Sequence, residues 1–277
     1  MDKQRPVISV TTAAFSGPLQ HKLAALNASG IHHIQLDAAD LLSSQQGTEG
    51  AIRDVLASGV AVTCLRELKE VVGCAPQFMP YKMELVKSHL GYLSALKGGL
   101  LVVTPTTSRS AVSADLLVEQ LAALARLAMI KGIRVALRPT AWSALVPDEK
   151  AALDIVAKAN HANLGVVLDA ISELSEPGLI EALLPEHIDR VFLVRLSDFE
   201  STCITSIEDL VEAEHHQRLF VGEGVHGDAL KRIYQQLVSL GYQGEITLSA
   251  NATEYDQQTA TQMSRRAAQA IQDLTQD

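Results

Sequence analysis

A chain of 277 residues that is 47% hydrophobic carries the material for a sizeable core, which excludes disorder as its main state. Its 23 Lys plus Arg stand against 32 Asp plus Glu, a formal net charge of −9, so the global field repels nucleic acid and anionic lipid. A local basic pocket can still hold a small anion. Aromatic residues are only 4%, three cysteines (Cys64, Cys74, Cys203) lack the spacing of a disulfide framework or zinc knuckle, and no apolar run approaches the roughly 20 residues of a membrane span. These features read as a soluble, cytoplasmic protein.

In chain order, short β-branched runs alternate with longer amphipathic stretches. Strand Val7–Thr12 precedes a helix over Pro18–Ser29 with Leu19, Leu23 and Leu26 on one face. Strands His32–Asp37 and Val60–Leu65 follow, then a helix over Tyr81–Lys97. Strand Gly99–Pro105 leads to the helix Ser113–Lys131, which carries Leu116, Leu117, Leu121, Leu124 and Leu127. Strand Arg134–Pro139 precedes the helix Asp148–Ala159, and strand Leu164–Ala170 precedes Pro177–Leu184. Strand Val191–Asp198 is followed by an irregular region from Phe199 to Phe220, with one short helix, Ser206–Ala213, predicted to lie over the functional face. Helix Gly227–Leu240, strand Glu245–Asn251 and helix Gln257–Leu274 close the chain. Gly30, Gly59, Gly98-Gly99, Gly132 and Gly241 stand at junctions where helix C-caps favour a residue that tolerates positive φ.

Eight strands, several continuously apolar as in Leu100-Leu101-Val102-Val103, predict a parallel sheet covered on both faces. Such strand–helix units occupy nearly all of residues 1–277, which predicts a single (β/α)8 TIM barrel. A doubly wound open sheet is the alternative. The first strand is followed by SVTTAAFSG (Ser9–Gly17), which lacks that fold's glycine fingerprint.

In a TIM barrel, chemistry collects at the carboxyl ends of the strands. Here those ends read Arg138 after Val135-Ala136-Leu137, Asp169 after Val166-Val167-Leu168, Arg195 after Phe192-Leu193-Val194, and Ser249 after Ile246-Thr247-Leu248. A charge ends many strands simply because water begins there. Charges of both signs on three consecutive strands are expected to meet over one barrel mouth.

At these residues the sequence resembles the xylose-isomerase-like TIM barrels, the sugar phosphate isomerase/epimerase superfamily, and among them the 3-dehydroshikimate dehydratases. HKLAALNASGIHHIQLDAADL (His21–Leu41) is similar to that family's first helix and second strand. Leu65–Gly73 falls where the family carries L-Q-P-F-R-D-F-E-G, RLFVGEG (Arg218–Gly224) resembles R-x-F-P-G-Q-G, and GYQGEITLS (Gly241–Ser249) resembles G-Y-x-G-x-L-S-L-E. The resemblance implies a lyase or isomerase fold with one divalent metal, such as Mg, Mn or Co, held by a Glu, an Asp, a His or Gln, and a Glu. Carried over, those positions are Arg138, Asp169, Arg195 and Ser249, of which only Asp169 is retained. The family's His three residues after the Asp is Ser172, its second-strand Glu is Gln35, the Arg of L-Q-P-F-R is Lys69, and the nearby Glu is Val72. Asp40, Asp198 and Arg218 survive.

Mg²⁺ and Mn²⁺ need hard anionic oxygens, and two guanidiniums repel them, so no metal and no other cofactor is predicted. Arg138 and Arg195, with Lys69, Arg218, His216, Ser249 and Gln35 around them, are expected to bind a small anionic metabolite, a hydroxylated carboxylate or phosphate. Three alternatives stand: a non-catalytic binder, a cavity plugged by Arg–Asp169 pairing, and a metal-independent lyase or isomerase using Asp169 or Glu223 as base. No nucleic acid or membrane partner is expected, and a homo-oligomer is compatible with the sequence. His32 and His33 point to opposite strand faces and do not chelate together. Buried Cys64, lacking a partner that lowers its pKa, reads as structural, and His89 and His161 as surface or capping residues.

Overall fold

A computed structural model of the chain describes residues 5–108 and 113–276. Eight parallel strands close into one barrel: β1 (Val7–Thr11), β2 (His33–Leu36), β3 (Ala61–Val72), β4 (Leu100–Pro105), β5 (Arg134–Leu137), β6 (Leu164–Asp169), β7 (Val191–Leu196) and β8 (Glu245–Leu248). They pair in sequence order, and β1 closes on β8 with Val7 opposite Glu245 and Val10 opposite Leu248. The predicted TIM barrel is therefore observed.

The helices form the outer ring: α1 (Leu19–Ala28), α2 (Ala38–Leu42), α3 (Gly47–Ser58), α4 (Met79–Leu96), α5 (Ala114–Met129), α6 (Glu149–Ala159), α7 (Leu179–His187), α8 (Ile207–His216), α9 (Gly227–Ser239) and α10 (Ala260–Thr275). Helix α5 shows how sequence makes them. The Ser113 hydroxyl accepts the Leu116 N–H at its start, and Leu117, Leu121, Leu124 and Ala128 form the buried stripe. In α10 a capping box joins Thr259 and Gln262.

Three local expectations are revised. Helices α2 and α3 lie where none was predicted, because α3 buries only Gly50, Ala51 and Val55, too thin a stripe to read as a period. Strand β3 runs seven residues past the expected Leu65, to Val72, with register shifts against β4 between Leu65 and Leu68 and again before Val72. The left-handed cap of α4 is Lys97 at φ 61°, not Gly98 or Gly99.

Two apolar layers result. One fills the space between strands and helices. The other, Cys64, Leu100, Val102, Ala136, Val167, Phe192 and Leu193, forms a separate buried cluster. Side chains two apart on a strand share a face. Ala136, Val167 and Leu193 therefore put Arg138, Asp169 and Arg195 one layer further along, toward the carboxyl end.

Candidate active site at the barrel mouth

The chain after β7, with helix α8, completes what the strand ends begin. The segment after β7 folds back: Asp198 and Leu219 exchange backbone hydrogen bonds at 2.9 Å, and the Asp198 carboxylate accepts the N–H groups of Phe199, Gly222 and His226. That anchor holds α8 against Leu174 and Phe199 through Leu210 and Ala213. The helix places Glu214 over the strand ends, and Arg218 follows four residues later.

The result is a closed ion network. Asp169 accepts from Arg138 Nε at 3.0 Å and from Arg218 Nη1 and Nη2 at 2.9 and 3.0 Å. Glu214 accepts from Arg138 Nη2 at 2.6 Å and also from Arg218 Nη2. Glu67 accepts from Arg195 Nη2 at 2.6 Å, with Arg138 Nη1 3.8 Å away and Arg66 Nε 3.7 Å away. Arg218 also donates to the Ser197 hydroxyl at 2.8 Å. All six central side chains, three guanidiniums and three carboxylates, are buried.

Burial alone would raise the carboxyl pKa values, but the guanidiniums outweigh it. Arg218, Arg138 and Arg195 hold Asp169 far below the ordinary carboxylate range. Arg195, Arg66 and Arg138 do the same for Glu67, and Arg138 with Arg218 lowers Glu214. Burial works against the charge on Arg138 and Arg218, yet the facing carboxylates raise both. Glu149, the first residue of α6, behaves oppositely. Burial, with a further push from Asp169, raises its carboxyl to about 7.

Two lobes of open space flank the network. One, about 370 Å³, is lined by Lys69, Glu70, Lys82, Thr104, Thr107, Arg138, Thr140, Trp142, Glu214 and His215. Glu70 there adopts a left-handed backbone at φ 56°, its N–H donating to the Thr104 hydroxyl at 3.0 Å and its carboxylate accepting the Thr107 hydroxyl. The other lobe, about 240 Å³, has Arg138, Trp142, Glu149, Asp169, Ser172 and Leu210 among its walls. Arg138, Thr140, Trp142 and Glu214 line both.

Of the residues singled out in the sequence, Arg138, Asp169, Arg195 and Arg218 meet in the network, and Lys69 lines the larger lobe. Ser249 is buried, and its backbone carbonyl accepts the Ser197 hydroxyl at 2.6 Å. Gln35 lies apart, its amide 3.3 Å from the Cys64 sulfur. Glu223 is drawn off to α10, where Arg266 pairs with it at 2.8 Å and the Tyr255 hydroxyl donates to it. His216 is exposed and leans on His215, which takes the cavity wall instead. Sequence reasoning missed Glu67, Glu214, Glu149, Lys82 and Trp142.

The chain belongs to the xylose isomerase-like TIM barrels: residues 81–274 match that family. Among curated proteins it is similar to 3-dehydroshikimate dehydratases of Pseudomonas aeruginosa and Pseudomonas putida, 27% and 26% identical over 242 residues. That match takes in 87% of this chain but only 37% of each relative, so the chain spans little more than a third of their length. Among solved structures, a xylose isomerase-like TIM barrel/4-hydroxyphenylpyruvate dioxygenase fusion protein superposes with a TM-score of 0.87 at 22% identity, over 98% of this chain and 43% of that one. The IOLI protein, whose crystal structure has a bound zinc atom, superposes with a TM-score of 0.77 at 18% identity over 97% of both chains.

Proposed function

We propose that this chain is a metal-independent, non-catalytic member of its family that binds a small hydroxylated carboxylate or phosphate at the barrel mouth. The observation that carries the reading is the closed network around Asp169. The family's metal positions offer two guanidiniums, one carboxylate already gripped by three arginines, and Ser249. That set does not fit a divalent cation, which needs anionic oxygens free to face it. Among the described residues, no group of three or more His, Cys, Asp or Glu is placed to hold one.

The same geometry argues against turnover. A general base must release its carboxylate to take a proton, and the arginines hold Asp169 ionised and engaged. Glu223 faces Arg266 and Tyr255 instead. Arg195 is buried, gives Nη2 to Glu67 and lines neither lobe, so it does not face a ligand. Anion binding therefore falls to the larger lobe, where, among the described residues, Lys69 and Lys82 carry no ion pair and the hydroxyls of Thr104 and Thr140 are at hand.

Titration calorimetry with shikimate, 3-dehydroshikimate and inorganic phosphate tests the binding. A Lys69→Ala/Lys82→Ala variant is expected to weaken it by about tenfold or more. No binding by any of these probes would remove the proposed ligand class. Incubation of 3-dehydroshikimate with Mn²⁺- or Co²⁺-supplemented protein is expected to give no turnover. Stoichiometric metal lost on Asp169→Asn, or turnover lost with it, would overturn the reading.

A further inference from the structure

The smaller lobe holds a buried acid that no basic side chain answers among the described residues. Glu149 opens α6 with only 3% of its surface exposed, and its carboxyl stands in the cavity wall. The Asp169 N–H reaches it at a long 3.4 Å, and the Ser172 hydroxyl beside it donates to the Asp169 backbone carbonyl at 2.8 Å. No lysine, arginine or histidine pairs with it among the described residues. Arg138, the one basic side chain on this wall, is already held by Asp169 and Glu214. At the rim stand Asp148, which caps α6, and Glu176, which pairs with Lys150 at 2.7 Å.

Ile171, Leu179 and Leu210, with the indole of Trp142, give the lobe an apolar side, while Asp169 and Glu214 in its wall are already paired with arginines. Trp142 is itself fixed edge-on against His215 at 5.8 Å. A buried carboxyl ionises readily only with a cation or a full set of donors; Glu149 has no cation among the described residues, so its charged form gains from one that a ligand brings. The missing partner has a definite chemistry. An ammonium group offers three donors, enough for Glu149 and neighbouring oxygens. An indole face attracts a cation, and the remaining walls ask for an apolar body. An anion would face Glu149 and Asp148 with no free base.

We infer that this cavity binds a small organic amine in its protonated form, with Glu149 as counter-ion and Trp142 as platform. The lobe's volume of about 240 Å³ admits an amine of one ring. The inference does not rest on anion binding in the neighbouring lobe, because Glu149, Ile171, Leu179 and Leu210 line this lobe alone, although Trp142, Arg138 and Glu214 stand in the wall of both.

Three isosteric probes test it by titration calorimetry on the full chain at about pH 8, where the amine is still protonated. Benzylamine is expected to bind about tenfold or more tightly than benzyl alcohol or benzoate. Glu149→Gln should remove that preference while leaving benzyl alcohol unchanged within about threefold, and Trp142→Ala should weaken the amine. Equal affinity for benzylamine and benzyl alcohol would overturn the inference. So would wild-type benzylamine affinity in Glu149→Gln, or no benzylamine binding up to about 10 mM. The ranking on unmodified protein decides the matter even if a variant fails to fold.

Discussion

Arg195 and Glu67 form one of the two most enclosed pairs of the network, with side chains 2% and 1% exposed and 2.6 Å between Nη2 and Oε2. Replacing Arg195 by Met keeps volume but strands Glu67, whose remaining cations, Arg66 and Arg138, lie 3.7 and 3.8 Å away. Removing one partner of such a buried pair costs about 3–5 kcal/mol, because the other charge stays desolvated. An unfolding entropy of roughly 2.1 cal/mol/K per residue over 277 residues converts this to a fall of about 5–9 °C in Tm.

Glu67→Leu should cost a similar amount by stranding Arg195. The double variant loses both charges together. Arg138 keeps Asp169 and Glu214, and Arg66 keeps Asp37 at 3.1 Å. The double variant should therefore be at least about 2 kcal/mol more stable than the sum of the singles predicts. Calorimetric or denaturant unfolding of the four proteins reads this coupling directly. Additivity within about 0.5 kcal/mol, or a loss below about 1 kcal/mol in Arg195→Met, would show that the pair is not the buried ion pair described.

Three further outcomes follow from the same structure. Asp169, Glu67 and Glu214 have folded pKa values below their unfolded ones, so their contribution is complete above about pH 5 and is lost as pH falls through the folded values. Acid unfolding should be steep below about pH 4, and Asp169→Asn should make it shallower; an unchanged slope would contradict the assignment. Glu149 acts with the opposite sign. Its carboxyl is raised from 4.5 to about 7, so the folded protein loses up to about 3 kcal/mol as pH rises through that window. Glu149→Gln should be more stable than wild type at about pH 8 and nearly equal at about pH 5, as urea midpoints would show. Gly224→Ala should destabilise by about 1–3 kcal/mol, because a Cβ there would lie 2.5 Å from Asp198 Oδ1 and against the Phe199 carbonyl, loosening the anchor of α8. Thermal unfolding within about 1 °C of wild type would refute this.

The strand ends were legible because each follows a buried apolar run, and alternation along the strand puts Arg138, Asp169 and Arg195 on the face of Ala136, Val167 and Leu193. Glu67 was not legible. It lies beyond Leu65, where β3 shifts register against β4 and the two-residue period no longer reports the facing side. Glu214 sits in IEDLVEAEHH, whose charge density reads as a solvated face. Its spacing of four residues from Arg218 was the one available signal. Glu149 follows the capping Asp148, where an acid ordinarily complements the helix dipole in water. Only the packing of α6 beside Asp169 and Ser172 makes it buried.

The network also sets opposite demands on its two flanks. The lysine lobe asks for an anion and the Glu149 lobe for a cation, although Arg138 and Glu214 stand in the wall of both. Arg138→Met withdraws one positive charge from that shared wall and leaves Asp169 and Glu214 more weakly neutralised, held by Arg218 alone apart from the longer Arg195 contact. At an effective dielectric of about 20, one charge acting over roughly 7 Å is worth about 2 kcal/mol before its own counter-ions reduce it, so a change near fivefold is expected in each lobe. The signs must differ: phosphate affinity falls while benzylamine affinity rises, measured on protein whose circular dichroism matches wild type. A loss of both by one factor would mean that Arg138 merely supports the walls. A gain in amine binding alongside the loss of phosphate is an outcome that only charge on the common wall produces.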